Sequence, residues 1–75
     1  MLLAVDIGNT NIKFGVYDAE DLRAKLSVPT IRDISAAGLA KVVGSRVTHT
    51  ISTAIVSSVV PEVDAAVREF INSSF

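Results

Sequence analysis

The sequence predicts a small α/β domain whose elements follow the order β-β-β-α-β-α. Strand-like apolar runs fill the first third of the chain, and helical spacing of apolar residues appears only later, on both sides of one further strand. The 75 residues are enough for one small domain. A hydrophobic share of 49% is high for this length and favours a sheet that is buried on both faces.

The first two strands are predicted to form a hairpin. Leu2–Val5 is an uninterrupted apolar run, and Ile12, Phe14 and Val16 alternate with polar or small residues as a second strand would. The segment Gly8–Asn11 between them consists of residues that favour turns. We therefore expect a β-hairpin with a polar tip.

A third strand and a helix are expected to follow. Leu22–Val28 alternates apolar and polar residues, so it predicts a half-exposed strand behind a solvated acidic turn at Asp18–Asp21. Thr30 or Asp33 is the expected N-cap of the first helix, and Gly44 is its expected C-cap. The predicted apolar side of this helix comprises Ile34, Leu39, Val42 and Val43.

The last two elements are a strand and a second helix. Thr50–Val59 is rich in β-branched residues and predicts a buried strand, parallel to its neighbour. Pro61 suits the first helical position, and Glu62 and Asp64 favour the positive end of the helix dipole. The predicted buried face of this helix comprises Val63, Ala66, Val67, Phe70 and Ile71.

Composition excludes several functional classes. The net charge of −1 and the isoelectric point near 5.6, without clustered Lys or Arg, argue against nucleic-acid binding and against binding to anionic membranes. No apolar run approaches the length of a membrane span, and the apolar N-terminus is too short for a signal peptide. With no cysteine, a disulfide framework or thiolate metal site is impossible. We expect a cytoplasmic protein.

The hairpin tip carries the residues from which chemistry is expected. Gly8 allows a ligand to approach the backbone, and the N–H groups of a turn form a concavity that attracts anions. Lys13 adds a positive charge, and Asp6 supplies a hard oxygen ligand suited to Mg²⁺ or its water shell. Further side-chain donors are Asn9, Thr10 and Asn11. Together these groups predict a site for a metal-bound triphosphate.

Two segments carry a resemblance to a known family. Asp6–Lys13 is similar to the first phosphate motif of the superfamily of acetate and sugar kinases, Hsp70 and actin. The order of residues in this segment and in Phe14–Tyr17, which follows it, resembles that of type III pantothenate kinase. Ser57–Val63 resembles the strand-to-helix junction that members of this family carry after their first helix. The resemblance runs along the whole chain, which corresponds to roughly the first third of a typical member.

The resemblance implies a fold and a function. The fold is a ribonuclease-H-like (actin-like ATPase) module without its last strand and helix, so residues 1–75 form a partial N-terminal domain. The family transfers phosphate from ATP to pantothenate in coenzyme A biosynthesis, with a divalent metal such as Mg²⁺, a monovalent cation (K⁺ or NH₄⁺) and usually a dimer. The residues expected to bind the ATP phosphates are Asp6, Ile7, Gly8, Asn9, Thr10, Asn11, Ile12 and Lys13, with Asp6 near the metal.

Other parts of the family machinery have no counterpart here. The catalytic aspartate, the pantothenate-binding motif, the monovalent-cation site and the adenosine-side motif all fall beyond the last residue. The sequence therefore contains no candidate for a catalytic residue, and we expect an N-terminal fragment that is inactive alone. A homodimer or a separate completing chain is the expected partner.

Two other functions stay open at this point. A regulatory or interaction module, like the transcription accessory factors among the relatives of this family, would use the exposed edge of Thr50–Val59 as a template for strand pairing. Another superfamily member, such as a sugar or acetate kinase, shares the first phosphate motif.

Individual residues also have structural interpretations. Asp6 suits hydrogen bonding to turn amides, and Lys13 suits an exposed strand position. Gly15 indicates a bulge or a close backbone approach. Ser57 and Ser58 either touch substrate or, as the safer interpretation, cap the helix that starts at Pro61.

Overall fold

A computed structural model describes all residues, 1–75, and confirms the predicted order of elements. Neither helix is long and apolar enough to cross a bilayer. The elements are β1 (Leu2–Ile7), β2 (Asn11–Asp18), β3 (Asp21–Pro29), α1 (Ala36–Val43), β4 (Thr53–Ser58) and α2 (Pro61–Ser74).

The four strands form one mixed sheet in the order β3-β2-β1-β4. β1 pairs antiparallel with β2 and parallel with β4, and β2 pairs antiparallel with β3. The predicted hairpin and the predicted parallel strand are therefore confirmed. This α/β arrangement is consistent with the N-terminal module of an actin-like ATPase.

Only one face of the sheet is covered, so the expectation of a sheet buried on both faces is wrong. Alternate residues of β1 and β2 point into a core of fourteen buried apolar side chains, which both helices complete and which holds no polar residue. Phe70 of α2 lies at its centre and meets Phe14 edge to face at 6.4 Å. Two helices are too few to cover both faces, and we call the uncovered one the open face.

The first helix starts later than expected and is capped by another residue. Its N-cap is Ser35, whose hydroxyl oxygen accepts a hydrogen bond from the backbone N–H of Gly38 at 3.0 Å. Thr30, one of the two expected caps, is bonded elsewhere. Val42 is 47% exposed because the buried face of α1 passes through Leu39 and Val43 instead. Gly44 is the C-cap as predicted, with a right-handed backbone.

The last strand is shorter and more exposed than the predicted segment Thr50–Val59. The residues before it form hydrogen bonds with the N-terminal residue. The α-amino group of Met1 donates to the Thr50 carbonyl at 3.0 Å, and the Ser52 N–H donates to the Met1 carbonyl at 2.9 Å. β4 is also an edge strand, so its side chains alternate between exposed and half-buried positions.

The hairpin between β2 and β3 has two local irregularities. Ala19 in the turn has a φ of 54°, which is unfavourable for a residue with a Cβ. The register of the two strands shifts between Val16 and Tyr17. Gly15 itself accommodates a close approach, because a Cβ there would lie 3.0 Å from the Tyr17 ring.

Candidate functional site

The candidate site lies at the edge of the sheet where β1 and β4 both end. Because these two strands are parallel, the turn after β1 and the junction between β4 and α2 share that edge. The Val59 N–H donates to the Ile7 carbonyl at 3.0 Å and ties the two segments together. The two segments that carry the family resemblance are thus neighbours in space.

The turn between β1 and β2 is closed by its own backbone. The Gly8 N–H donates to the Asn11 carbonyl at 2.9 Å. Gly8 has no positive φ, so its glycine is not required by a left-handed backbone. A Cβ at this position would lie 3.1 Å from the Asn11 carbonyl oxygen, which is tighter than ordinary contact. Close packing of the turn is therefore the local reason for glycine.

Thr30 fixes the turn from the side, and sequence reasoning missed this role. Its hydroxyl donates to the Gly8 carbonyl at 2.7 Å, and its backbone N–H donates to the Thr10 carbonyl at 2.9 Å. The role of Thr30 follows from the pairing of β2 with β3. Asn11 pairs with Pro29, so Thr30, the next residue of the chain, lies beside the turn. That register cannot be obtained from the local pattern around Thr30.

These bonds leave the turn with occupied acceptors and free donors. The carbonyls of Gly8, Thr10 and Asn11 accept hydrogen bonds, whereas the backbone N–H groups of Asn9 and Thr10 donate to no protein atom. The side chains of Asn9, Thr10 and Asn11 are exposed and make no hydrogen bond within the chain. A turn with this polarity attracts an anion rather than a cation.

A polar row crosses the open face beside the turn. Asp6 pairs with Lys13 on one side and with Ser57 on the other, and all three side chains are exposed. No ion pair within 4 Å joins Asp6 to Lys13, so both charges remain available to a ligand. Across the next strand, Lys13 pairs with Ser27.

The polar row forms one end of a concavity of about 650 Å³ on the open face. The remainder is mostly apolar; the lining includes Ala4, Gly15, Tyr17, Leu22 and Ile55, with Lys25 among them. The concavity thus combines a charged end with an apolar floor.

The predicted site residues do not all face this space. Ile7 and Ile12 are fully buried in the core, so they contribute only backbone to a ligand site. Ser57 lines the concavity, so the helix-capping interpretation is wrong for it, because strand alternation turns it to the open face. Ser58 points the other way, and its hydroxyl accepts from the Val60 N–H at 3.1 Å, just before α2.

An ion pair stands beside the start of α2. The Arg32 guanidinium donates to the Glu62 carboxylate, and both side chains are more than half exposed. A hydrogen bond from the Glu62 backbone N–H and the bond from Arg32 hold the pKa of the Glu62 carboxyl below its ordinary value. The charge of Arg32 is therefore already paired, whereas Lys13 makes no ion pair.

The donor set fits a divalent cation only when the cation brings its own ligands. No group of three or more acidic, histidine or cysteine side chains gathers in the chain. Asp6 alone matches the way Mg²⁺ binds in nucleotide sites, where one or two carboxylates join waters and phosphate oxygens. The residues therefore suit a metal that arrives with a triphosphate.

Comparison with known proteins finds relatives of one family. The type III pantothenate kinase of Borrelia hermsii (strain HS1 / DAH) is 33% identical over 73 residues, which cover 97% of this chain and 28% of the relative. That of Paramagnetospirillum magneticum (strain ATCC 700264 / AMB-1) is 42% identical over 67 residues, covering 81% of this chain and 26% of the relative. That of Roseiflexus sp. (strain RS-1) is 62% identical over 32 residues, which are 43% of this chain and 12% of the relative.

The chain spans little more than a quarter of the length of the relatives that match most of it. A family profile described as type III pantothenate kinase matches residues 2–75. Because this match covers nearly every residue, the chain belongs to the type III pantothenate kinase family.

Proposed function

We propose that this chain supplies the ATP-phosphate site of a pantothenate kinase and is inactive alone. The observation that carries the proposal is the polarity of the turn after β1, where Thr30 occupies two carbonyls and two N–H groups stay free. The parent reaction is ATP-dependent phosphorylation of pantothenate, which starts coenzyme A biosynthesis. The proposed compartment is the cytoplasm, and the proposed assembly is a dimer or a complex with a completing chain.

The proposed contacts follow from the placement of each group. The Asn9 and Thr10 N–H groups and the exposed side chains of the turn donate to phosphate oxygens. Lys13 neutralises phosphate charge from the adjacent strand. Asp6 would hold Mg²⁺ through an oxygen ligand or through its water shell, and the cation would neutralise phosphate charge when bound.

Phosphoryl transfer depends mainly on positioning and on electrostatic stabilisation. The chain provides part of both, because the hairpin holds free donors beside a lysine and an aspartate. Asp6 is the one carboxylate among the residues that line the concavity, so no second carboxylate there would accept the proton of an attacking hydroxyl. This is the reason for proposing phosphate binding without turnover.

The proposal is tested by amide NMR spectra of the chain with and without millimolar Mg-ATP. We expect shifts at Gly8–Lys13. We expect Lys13→Gln to weaken the affinity by roughly tenfold, the usual effect of losing one charge-assisted hydrogen bond. Lys41→Gln is the matched control, because it removes the same charge from the last turn of α1.

Two results contradict the proposal. A folded chain whose turn amides do not move with Mg-ATP has no phosphate site there, and equal losses for Lys13→Gln and Lys41→Gln indicate a non-specific charge effect. In a second assay, ³¹P NMR follows a mixture of ATP and pantothenate to which the chain has been added. We expect no phosphorylated product, and steady turnover would refute the inactivity.

A further inference from the structure

Ser57 lies beside Asp6 where β1 and β4 end. The two residues are direct partners in the parallel pairing of these strands, and both side chains are exposed on the open face. Neighbouring strands lie about 4.8 Å apart, so the Ser57 hydroxyl and the Asp6 carboxylate border the same end of the concavity. Just beyond both residues, the hydrogen bond from the Val59 N–H to the Ile7 carbonyl holds the two strand ends together.

The Ser57 hydroxyl has no structural partner. Other serine hydroxyls of the chain form hydrogen bonds that stabilise local structure, as at the start of α1, before α2 and in the last turn of α2; these belong to Ser35, Ser58 and Ser73. Ser57 makes no hydrogen bond within the chain. Its hydroxyl can therefore bind a ligand without giving up a contact that the fold needs.

A carboxylate and a hydroxyl side by side suit a hydrated divalent cation. Mg²⁺ keeps several waters when it binds through one or two carboxylates and the phosphates of a substrate. Such waters donate hydrogen bonds, and removing a residue that supports the metal ligands commonly weakens metal binding. Of the two residues paired with Asp6, Lys13 has only donors, whereas Ser57 has an oxygen that accepts.

We propose that Ser57 is a positioning residue for the metal in the phosphate site. Its hydroxyl would accept a hydrogen bond from a water of the Mg²⁺ that Asp6 holds. This proposal rests on the proposed function, because Mg²⁺ reaches the site together with ATP. It separates two roles in the polar row: Lys13 acts on phosphate whether or not the metal is present, and Ser57 acts only through the metal.

The test is the affinity for ATP with Mg²⁺ and with the metal removed by a chelator, both measured from the shifts of the turn amides. We expect Ser57→Ala to weaken the binding of Mg-ATP by roughly threefold to tenfold, the effect of losing one hydrogen bond. The binding of metal-free ATP is expected to stay unchanged. Ser57→Thr keeps the hydroxyl and is expected to retain the wild-type affinity for Mg-ATP.

Ser27→Ala is the matched control. It removes an exposed hydroxyl from the same row, but Ser27 pairs with Lys13 on β3, at the opposite edge of the sheet from Ser57. Both affinities are expected to stay unchanged. The urea midpoint of Ser57→Ala is also expected to match that of the wild type, because an exposed side chain without hydrogen bonds contributes little to stability.

Three results overturn the proposal. Equal weakening of metal-free ATP and Mg-ATP by Ser57→Ala means that the hydroxyl contacts phosphate directly. Wild-type affinity of Ser57→Ala for Mg-ATP means that the hydroxyl does not act on the metal, and a loss in Ser57→Thr as large as in Ser57→Ala excludes the hydroxyl as the cause. If Lys13→Gln weakens binding and Ser57→Ala does not, this proposal alone fails; if the turn amides of the wild type do not move with Mg-ATP, the proposed function fails as well.

Discussion

Removing the Thr30 hydroxyl tests how the turn between β1 and β2 is held. In Thr30→Val, a methyl group replaces the donor that bonds the Gly8 carbonyl at 2.7 Å, and that partly buried oxygen loses its partner. Such a loss costs about 1–2 kcal/mol. A single small core supplies only ~3–5 kcal/mol, so the change is a large part of the stability. With a urea slope of about 1 kcal/mol/M, the unfolding midpoint falls by about 1–2 M.

The assay compares Thr30→Val with Thr30→Ser by urea unfolding and by titration with Mg-ATP. Serine keeps the hydroxyl, and both variants keep the backbone N–H that bonds the Thr10 carbonyl. We expect the valine variant to bind Mg-ATP roughly threefold to tenfold more weakly, because ordering the turn then adds to the cost of binding. Equal midpoints and equal affinities for the two variants would refute the role assigned to Thr30.

Two further predictions concern stability. Ala19→Gly is expected to stabilise the chain by about 0.5–1 kcal/mol, because glycine adopts the φ of 54° without strain; an unchanged or lower urea midpoint contradicts this. The lowered pKa of the Glu62 carboxyl contributes stability that is present above its ordinary value of 4.5 and is lost as pH falls through the lower folded value. The urea midpoints of the wild type and Glu62→Gln should therefore converge in acid, and a constant difference would contradict this.

Elements with strong local patterns could be predicted from the sequence. The hairpin at Gly8–Asn11 and the helix that starts at Pro61 both depend on residues close together in the chain, and the structure confirms both. Alternating apolar residues also located β2 and β3, since one face of the sheet packs against helices. The prediction failed where long-range packing decides which side chains are buried. Val42 was expected on the apolar side of α1, but its exposure depends on how α1 turns toward α2.

In the candidate site too, the sequence predicted what depends on neighbouring residues and missed what depends on long-range strand pairing. Asp6 and Lys13 were placed together by the hairpin register, and this neighbourhood is found in the structure. Thr30 was not assigned there, and for Ser57 contact with substrate was the less favoured of two interpretations, because each residue reaches the site through the pairing of strands distant in sequence. For Thr30 the local pattern offered a helix cap, which is an adequate explanation of a threonine until the register of β3 is known.

The position of Tyr17 has a spectroscopic consequence. The chain contains one tyrosine and no tryptophan, so nearly all of its near-ultraviolet emission comes from this ring. The ring lies against Gly15 in the same concavity as Asp6 and Lys13, on the face away from the helices. The protein thus carries a built-in optical reporter of its open face. Inorganic triphosphate, which does not absorb in this region, can be titrated against it without any label.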